Sequence, residues 1–136
     1  MLIQYAKGGR KRATSRAYLT IAKDKNEIYI NKKPVDKYFT HQSAILTTQQ
    51  PLEKLKNKEG IHQNEKYSIK VFVKGGGTTG QAEAVRHAIA RALSQLSEAH
   101  KKEMKKAKFL TRDSRKVERK KPGLRSARAP QQWTKR

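Results

Sequence analysis

Tyr67-Ser68-Ile69-Lys70-Val71-Phe72-Val73-Lys74-Gly75-Gly76-Gly77-Thr78-Thr79-Gly80-Gln81-Ala82 is the stretch that decides the fold of this chain. Its first half is a short, strongly apolar run, Tyr67, Ile69, Val71, Phe72 and Val73, which predicts a central strand covered on both faces. Three glycines then free the backbone to turn. Beyond them Ala82, Val85, Ile89, Ala92, Leu93 and Leu96 recur at three and four residues, the period of an amphipathic helix, and the alanines let that helix lie flat on a sheet. Strand, glycine turn and helix in succession place the chain in the α/β (α+β) class.

The same residues satisfy G-x-G-x-x-G through Gly75, Gly77 and Gly80, in the strand-to-helix setting of a dinucleotide fingerprint. Such a unit also needs a second parallel strand after the helix, ending in an acid about 20 positions on. Glu98 stands near that distance, but the lysine-rich run around it is too polar for a buried strand and predicts a second short helix over 97–107 instead. A Walker loop fails too, because Gly80 is followed by Gln81. A nucleotide-dependent enzyme is therefore the lesser reading. Free N–H groups between Lys74, Gly75, Gly76, Gly77 and Gln81 suit a phosphate of an RNA backbone. A tight turn needing positive φ explains the glycines equally well, and both can hold.

Towards the N-terminus, Lys7, Arg10, Lys11, Arg12 and Arg16 cluster without an acidic neighbour. Residues 16–22 alternate as a half-buried strand does, and Lys23-Asp24-Lys25-Asn26 supplies a turn. Residues 27–31 then read as the returning strand of a hairpin. Pro34 suits the first turn of a short helix over 34–39. Residues 41–57 read as mainly helical, broken at Pro51 and restarting before Leu52, with Gly60 closing the region. On the long helix Arg86, His87 and Arg91 fall outside the apolar stripe and read as a solvated face, with Glu83 placed to pair with His87 at i+4. His41 and His62 read as surface residues.

Composition narrows the function. The 136 residues fit one domain, and 33 Lys+Arg against 11 Asp+Glu give a net charge of +22. That excess calls for a polyanion, and nucleic acid is the default because each phosphate contact releases condensed counterions. No apolar run reaches the roughly 18 residues of a membrane span, and no broad apolar stripe accompanies the basic segments, so a membrane partner is not expected. The N-terminus lacks a signal-peptide pattern, and strand-like sequence from the outset leaves no removable leader. With no cysteine and four scattered histidines, neither a disulfide framework nor a zinc site is expected; no cofactor and no small-molecule substrate are implied.

The charge is concentrated at one end. Residues 101–136 hold fifteen Lys/Arg and three acids, and periodicity stops after Phe109. The boundary is set at 1–107 for a globular RNA-binding body and 108–136 for a basic tail. Pro122, Gly123 and Pro130, with Leu110, Val117, Leu124 and Trp133 as the only large apolar residues, argue for extended chain without its own core. Arg112, Arg115, Lys116, Arg119, Lys120, Lys121, Arg125 and Arg128 are the candidate phosphate ligands, arginine's planar fork being suited to bidentate contact. Asp113 and Glu118 sit beside arginines and read as orienting guanidinium groups. Fully extended, the 29 residues after Ala107 would span up to about 100 Å.

These motifs together are familiar. Gly9-Arg10-Lys11-Arg12-Ala13-Thr14-Ser15-Arg16-Ala17, Val73-Lys74-Gly75-Gly76-Gly77, Gly80-Gln81-Ala82, Val85-Arg86-His87, Thr111-Arg112-Asp113, Val117-Glu118-Arg119-Lys120-Lys121 and Thr134-Lys135-Arg136 follow in order. The chain resembles the family of the ninth protein of the small ribosomal subunit, in its bacterial and organellar form, from about residue 4 to the end. The resemblance implies a two-layer body with a mixed β-sheet, helices on one face and a left-handed β-α-β crossover. It implies a non-catalytic scaffold on the ribosome, in a bacterial cytoplasm, plastid or mitochondrion. Its partners would be small-subunit ribosomal RNA and neighbouring proteins of the subunit head. It also implies that the tail reaches peptidyl-site tRNA, which Lys135 and Arg136 would contact. Ala129 and Pro130 stand where that family commonly has arginine, Trp133 replaces another aromatic and Thr134 the usual serine.

Overall fold

In the computed structural model, which describes residues 2–56 and 65–130, the chain enters as a long antiparallel hairpin of β1 (Leu2–Arg10) and β2 (Ala13–Ala22). Lys11, at φ 53, turns the corner between them. Next come β3 (Glu27–Ile30), the two-residue β4 (Lys33–Pro34), the single-turn α1 (Val35–Tyr38) and α2 (Gln42–Lys54). The order closes with β5 (Lys66–Lys74), α3 (Thr78–Ser94) and α4 (Glu98–Lys106).

The sheet runs β1-β2-β5-β3-β4. β2 and β5 pair antiparallel, β3 and β5 parallel, so the sheet is mixed and the β3-to-β5 connection through α1 and α2 is a crossover. This corrects the hairpin expected from residues 16–31. β2 and β3 do not pair, because β5 is inserted between them, and the tight hairpin lies one strand earlier. Asn31 seals the parallel edge. At φ 49 its side-chain amide bonds both the carbonyl and the N–H of Val73 at 3.0 Å, standing in for a ladder residue.

β5 is central but covered on one face only. Tyr67, Ile69, Val71 and Val73 point into the core, while Lys70 and Phe72 face outward. The expectation of cover on both faces fails because all the packing helices lie on one side, and period-2 alternation was hidden by Phe72 being apolar. α3 fills the inner side. Leu19, Ile30, Ile69, Ile89, Leu93 and Met104 are fully buried there, each contributing about 1.5–3 kcal/mol. The helix lies close: a Cβ on Gly8 would stand 2.4 Å from the Ala88 backbone nitrogen, and Ser15 Oγ donates to the Ala84 carbonyl at 2.7 Å.

α2 passes through Pro51 without the expected break. The proline is fully buried and only three residues from the helix end, so one lost backbone bond is offset by packing. Gly60 and His62 lie outside the described residues.

Candidate RNA interface

Three basic segments meet at one end of the sheet. The hairpin turn carries Lys11 and Arg12, both exposed. The glycine loop abuts it: Gly75 and Gly76 adopt φ 81 and 66, as the sequence expects, and a Cβ at Gly75 would sit 2.6 Å from the Arg12 carbonyl. Only a residue without a side chain tolerates both demands. Gly77 is the N-cap of α3 with no side-chain cap, so the first-turn N–H groups lack intrahelical acceptors. Gln81 braces the loop from behind, accepting from Tyr38 Oη at 2.9 Å and donating to the Gly75 carbonyl at 3.1 Å.

The third segment is the start of the basic tail. α4 ends in a left-handed residue, Lys108 at φ 62, with Phe109 N–H bonded back to the Met104 carbonyl, the Schellman reversal usually made with glycine. The chain is thereby thrown back over α3. Phe109 and Leu110 pack against the core, and the Arg86 guanidinium lies 5.0 Å from the Phe109 ring centre. Farther on, Arg112 donates to the Asp113 and Lys11 carbonyls, and Arg10 donates to the Arg115 carbonyl at 3.5 Å.

An ion-pair node fixes this junction. Arg10 Nε meets Glu83 Oε2 at 2.6 Å, and Arg10 Nη1 meets Asp113 Oδ2 at 3.1 Å. Asp113 also accepts from the Arg115 side chain and N–H, and these, with Arg10, hold its carboxyl at about 2, well below the usual 3.8. Asp113 therefore orients guanidinium groups, as expected. Arg10, drawn into the node, serves the protein's own acids before any phosphate.

The polar stripe of α3 is solvated only in part: Arg91 is exposed and Arg86 half-buried, as expected, but His87 is not. His87 is buried, its Nδ1 accepting from the Gly9 N–H at 3.2 Å while Nε2 lies 3.1 Å from the Leu110 carbonyl. Its expected partner Glu83 is taken by Arg10 instead. Burial, with Arg91, Arg112 and Arg86 nearby, pushes His87 below its ordinary 6.5, against a smaller opposing effect of the Leu110 carbonyl. Arg86 bonds Gln50 on α2 at 2.9 Å, and Arg91 the Lys7 carbonyl at 2.7 Å. The sequence offered no signal for these contacts, since each joins residues far apart in the chain. His41 is exposed, as expected.

From 107 to 130 no helix or strand forms, and the segment is mostly exposed. Arg112, Lys116, Arg119, Lys120, Lys121, Arg125 and Arg128 all face solvent. Part of it bends into a loop closed by a Leu124–Pro130 bridge and by Glu118, which pairs with Lys121 at 2.5 Å and Arg128 at 2.8 Å. Lys135 and Arg136 lie outside the described residues. The remaining candidates, Lys7, Arg16 and Lys74, are exposed on the outer face of the sheet.

No nucleotide fold surrounds the glycines. Among the described residues no strand follows α3, and the parallel partner of β5 is β3, which precedes it. What does match is the family model of ribosomal protein S9/S16, over residues 8–136. The chain belongs to the ribosomal protein S9/S16 family. As a member it is a structural protein of the small ribosomal subunit and not an enzyme. Its place is the ribosome, among ribosomal RNA and other ribosomal proteins.

Proposed function

We propose that this chain is the ninth protein of the small subunit, of bacterial or organellar type. It holds ribosomal RNA of the subunit head at the meeting point of hairpin, glycine loop and tail. Lys11, Arg12, Lys74, the first-turn N–H groups after Gly77, and Arg112 take phosphates around this end. The boundary after residue 107 separates an anchoring body from a tail that follows RNA outward through Lys116, Arg119, Lys120, Lys121, Arg125 and Arg128. Lys7 and Arg16 add contacts from the sheet, and Arg10 and Arg115 act chiefly by setting the tail's departure. At its end, Lys135 and Arg136 contact peptidyl-site tRNA.

One observation carries this reading. Among the described residues of 108–130, both acids, Asp113 and Glu118, are already in ion pairs. Arg112, Lys116, Arg119, Lys120 and Arg125 are left exposed without an acidic partner. Cations held in the open beside one another repel, and a phosphate backbone relieves that repulsion while releasing counterions. The Glu118 pairs that close the loop are solvent-exposed, worth at most about 1 kcal/mol each, so RNA can open the loop cheaply.

Removing residues 134–136 tests the tRNA contact. Small subunits should assemble normally with the shortened chain but release peptidyl-site tRNA faster. Unchanged tRNA retention contradicts the role given to Lys135 and Arg136.

A further inference from the structure

Among the described residues no helix covers the other side of the sheet, and the residues there fall into rows fixed by strand register. Lys7, Arg16 and Phe72 lie opposite one another across β1, β2 and β5. The next row is Tyr5, Tyr18, Lys70 and Tyr29, and Thr14 with Lys74 forms the row on the other side. Directly opposed residues share a face, so four aromatic rings and four cations are interleaved on one surface. These rows contain no acid. Glu27 stands one row beyond, opposite Ser68.

Three of the rings form a connected plate. Tyr5 and Tyr18 have centroids 4.9 Å apart with planes at 42°, and Phe72 meets Tyr18 edge-on at 6.0 Å. Cross-strand pairing accounts for the contacts between rings but not for an exposed phenylalanine: Tyr5, Tyr18 and Tyr29 are half-buried, and Phe72 remains 37% exposed. A shallow depression lined by Lys7, Thr14, Arg16, Phe72 and Lys74 runs beside it.

We propose that this face is a stacking platform for unpaired bases of ribosomal RNA. Tyr18 and Phe72 take the bases, while Lys7, Arg16, Lys70 and Lys74 take the flanking phosphates. The inference rests on the RNA-binding reading above and adds a mode of contact that residues 108–130 do not offer, since the one ring among them, Phe109, packs against the core. Every base has a π-face, so aromatic side chains on a rigid sheet bind single strands with little sequence preference, and cations between them follow the backbone. A protein partner fits less well, because the cores of protein interfaces are depleted of charge. Here cations occupy the centre of the patch.

Two measurements decide it. In assembled small subunits carrying Phe72→p-azidophenylalanine, irradiation should attach this residue to ribosomal RNA. An adduct with a ribosomal protein, or none with RNA, overturns the platform. In solution, the full chain should prefer a short oligoadenylate over a base-free ribose-phosphate oligomer of equal length by roughly 5- to 150-fold per stacked base. Tyr18→Thr combined with Phe72→Thr should abolish that preference and leave affinity for the base-free oligomer unchanged. If the paired variant does not fold, Phe72→Thr alone, at an exposed strand position, should lose most of the preference. Equal affinity of the unaltered chain for both oligomers sinks the platform but leaves the RNA-binding reading standing. Absence of binding to either, and to ribosomal RNA, sinks both.

Discussion

Arg10 on β1 and Glu83 on α3 meet at 2.6 Å, and the same guanidinium reaches Asp113 in the tail, so one arginine ties hairpin, helix and tail together. The pair is part-buried, with Arg10 and Glu83 side chains 15% and 25% exposed, so losing it costs more than a surface salt bridge does. Glu83→Gln should destabilise the fold by about 1–2 kcal/mol. It should also speed amide exchange at residues 109–115 ahead of the rest of the chain. Uniform exchange across the chain would show that the tail root is anchored elsewhere.

The glycine loop makes a sharper contrast. Gly75→Ala places a side chain at φ 81 and 2.6 Å from the Arg12 carbonyl. It should cost about 2–4 kcal/mol, read as a drop in melting temperature of roughly 6–15 °C. Gly77→Ala, with open space around the new methyl group, should leave the melting temperature within a few degrees. Equal effects at the two positions would contradict the backbone argument.

His87 makes stability depend on pH. Its ring is neutral in the fold, since Nδ1 accepts from Gly9 while Nε2 donates to Leu110. Protonation would set an N–H against the Gly9 N–H. The folded state therefore holds this proton less tightly than the unfolded chain does. His87's contribution is complete above the ordinary value of 6.5 and diminishes as pH falls through it towards the depressed folded value. Unfolding at pH 7.5 and 5.5 should show a loss on acidification that is smaller in His87→Gln. A His87 imidazole titrating at or above 6.5 would exclude this account.

Much of this was legible in the sequence, and the failures share a cause. α3, α4, α1, the glycine turn and the basic segments follow from local periodicity and turn chemistry, which act over a few residues. The pairing of β3 with β5 rather than β2 is a choice among partners forty residues apart, and no local pattern encodes it. His87 was misplaced for the same reason. A polar residue off the apolar stripe looks solvated until a strand and a returning tail are known to cover it. Phe72 reads as core in the sequence because apolar character, not burial, is what a sequence displays. Of the interface, the cations were identifiable by type. That Arg10 and Gln81 would be engaged by Asp113, Glu83, Tyr38 and Gly75 was not.

Lys108 offers a stabilising change. It holds a left-handed conformation at φ 62, which costs a residue bearing a Cβ about 1–2 kcal/mol. Lys108→Gly should raise the melting temperature by roughly 2–5 °C and leave RNA affinity nearly unchanged, since the tail retains its other cations. A lower melting temperature would mean that the lysine side chain contributes more than its backbone costs.

The most direct measurement is the salt dependence of binding to small-subunit ribosomal RNA. The intact chain should be compared with one in which Lys116, Arg119, Lys120 and Arg125 are changed to Gln. If these side chains hold phosphates, the slope of log K against log salt should become shallower by roughly 0.7–0.9 per removed cation, about three units in all. The altered chain should still melt like the original. A slope and affinity unchanged by the four substitutions would contradict the claim that the exposed cations of the tail are what bind RNA.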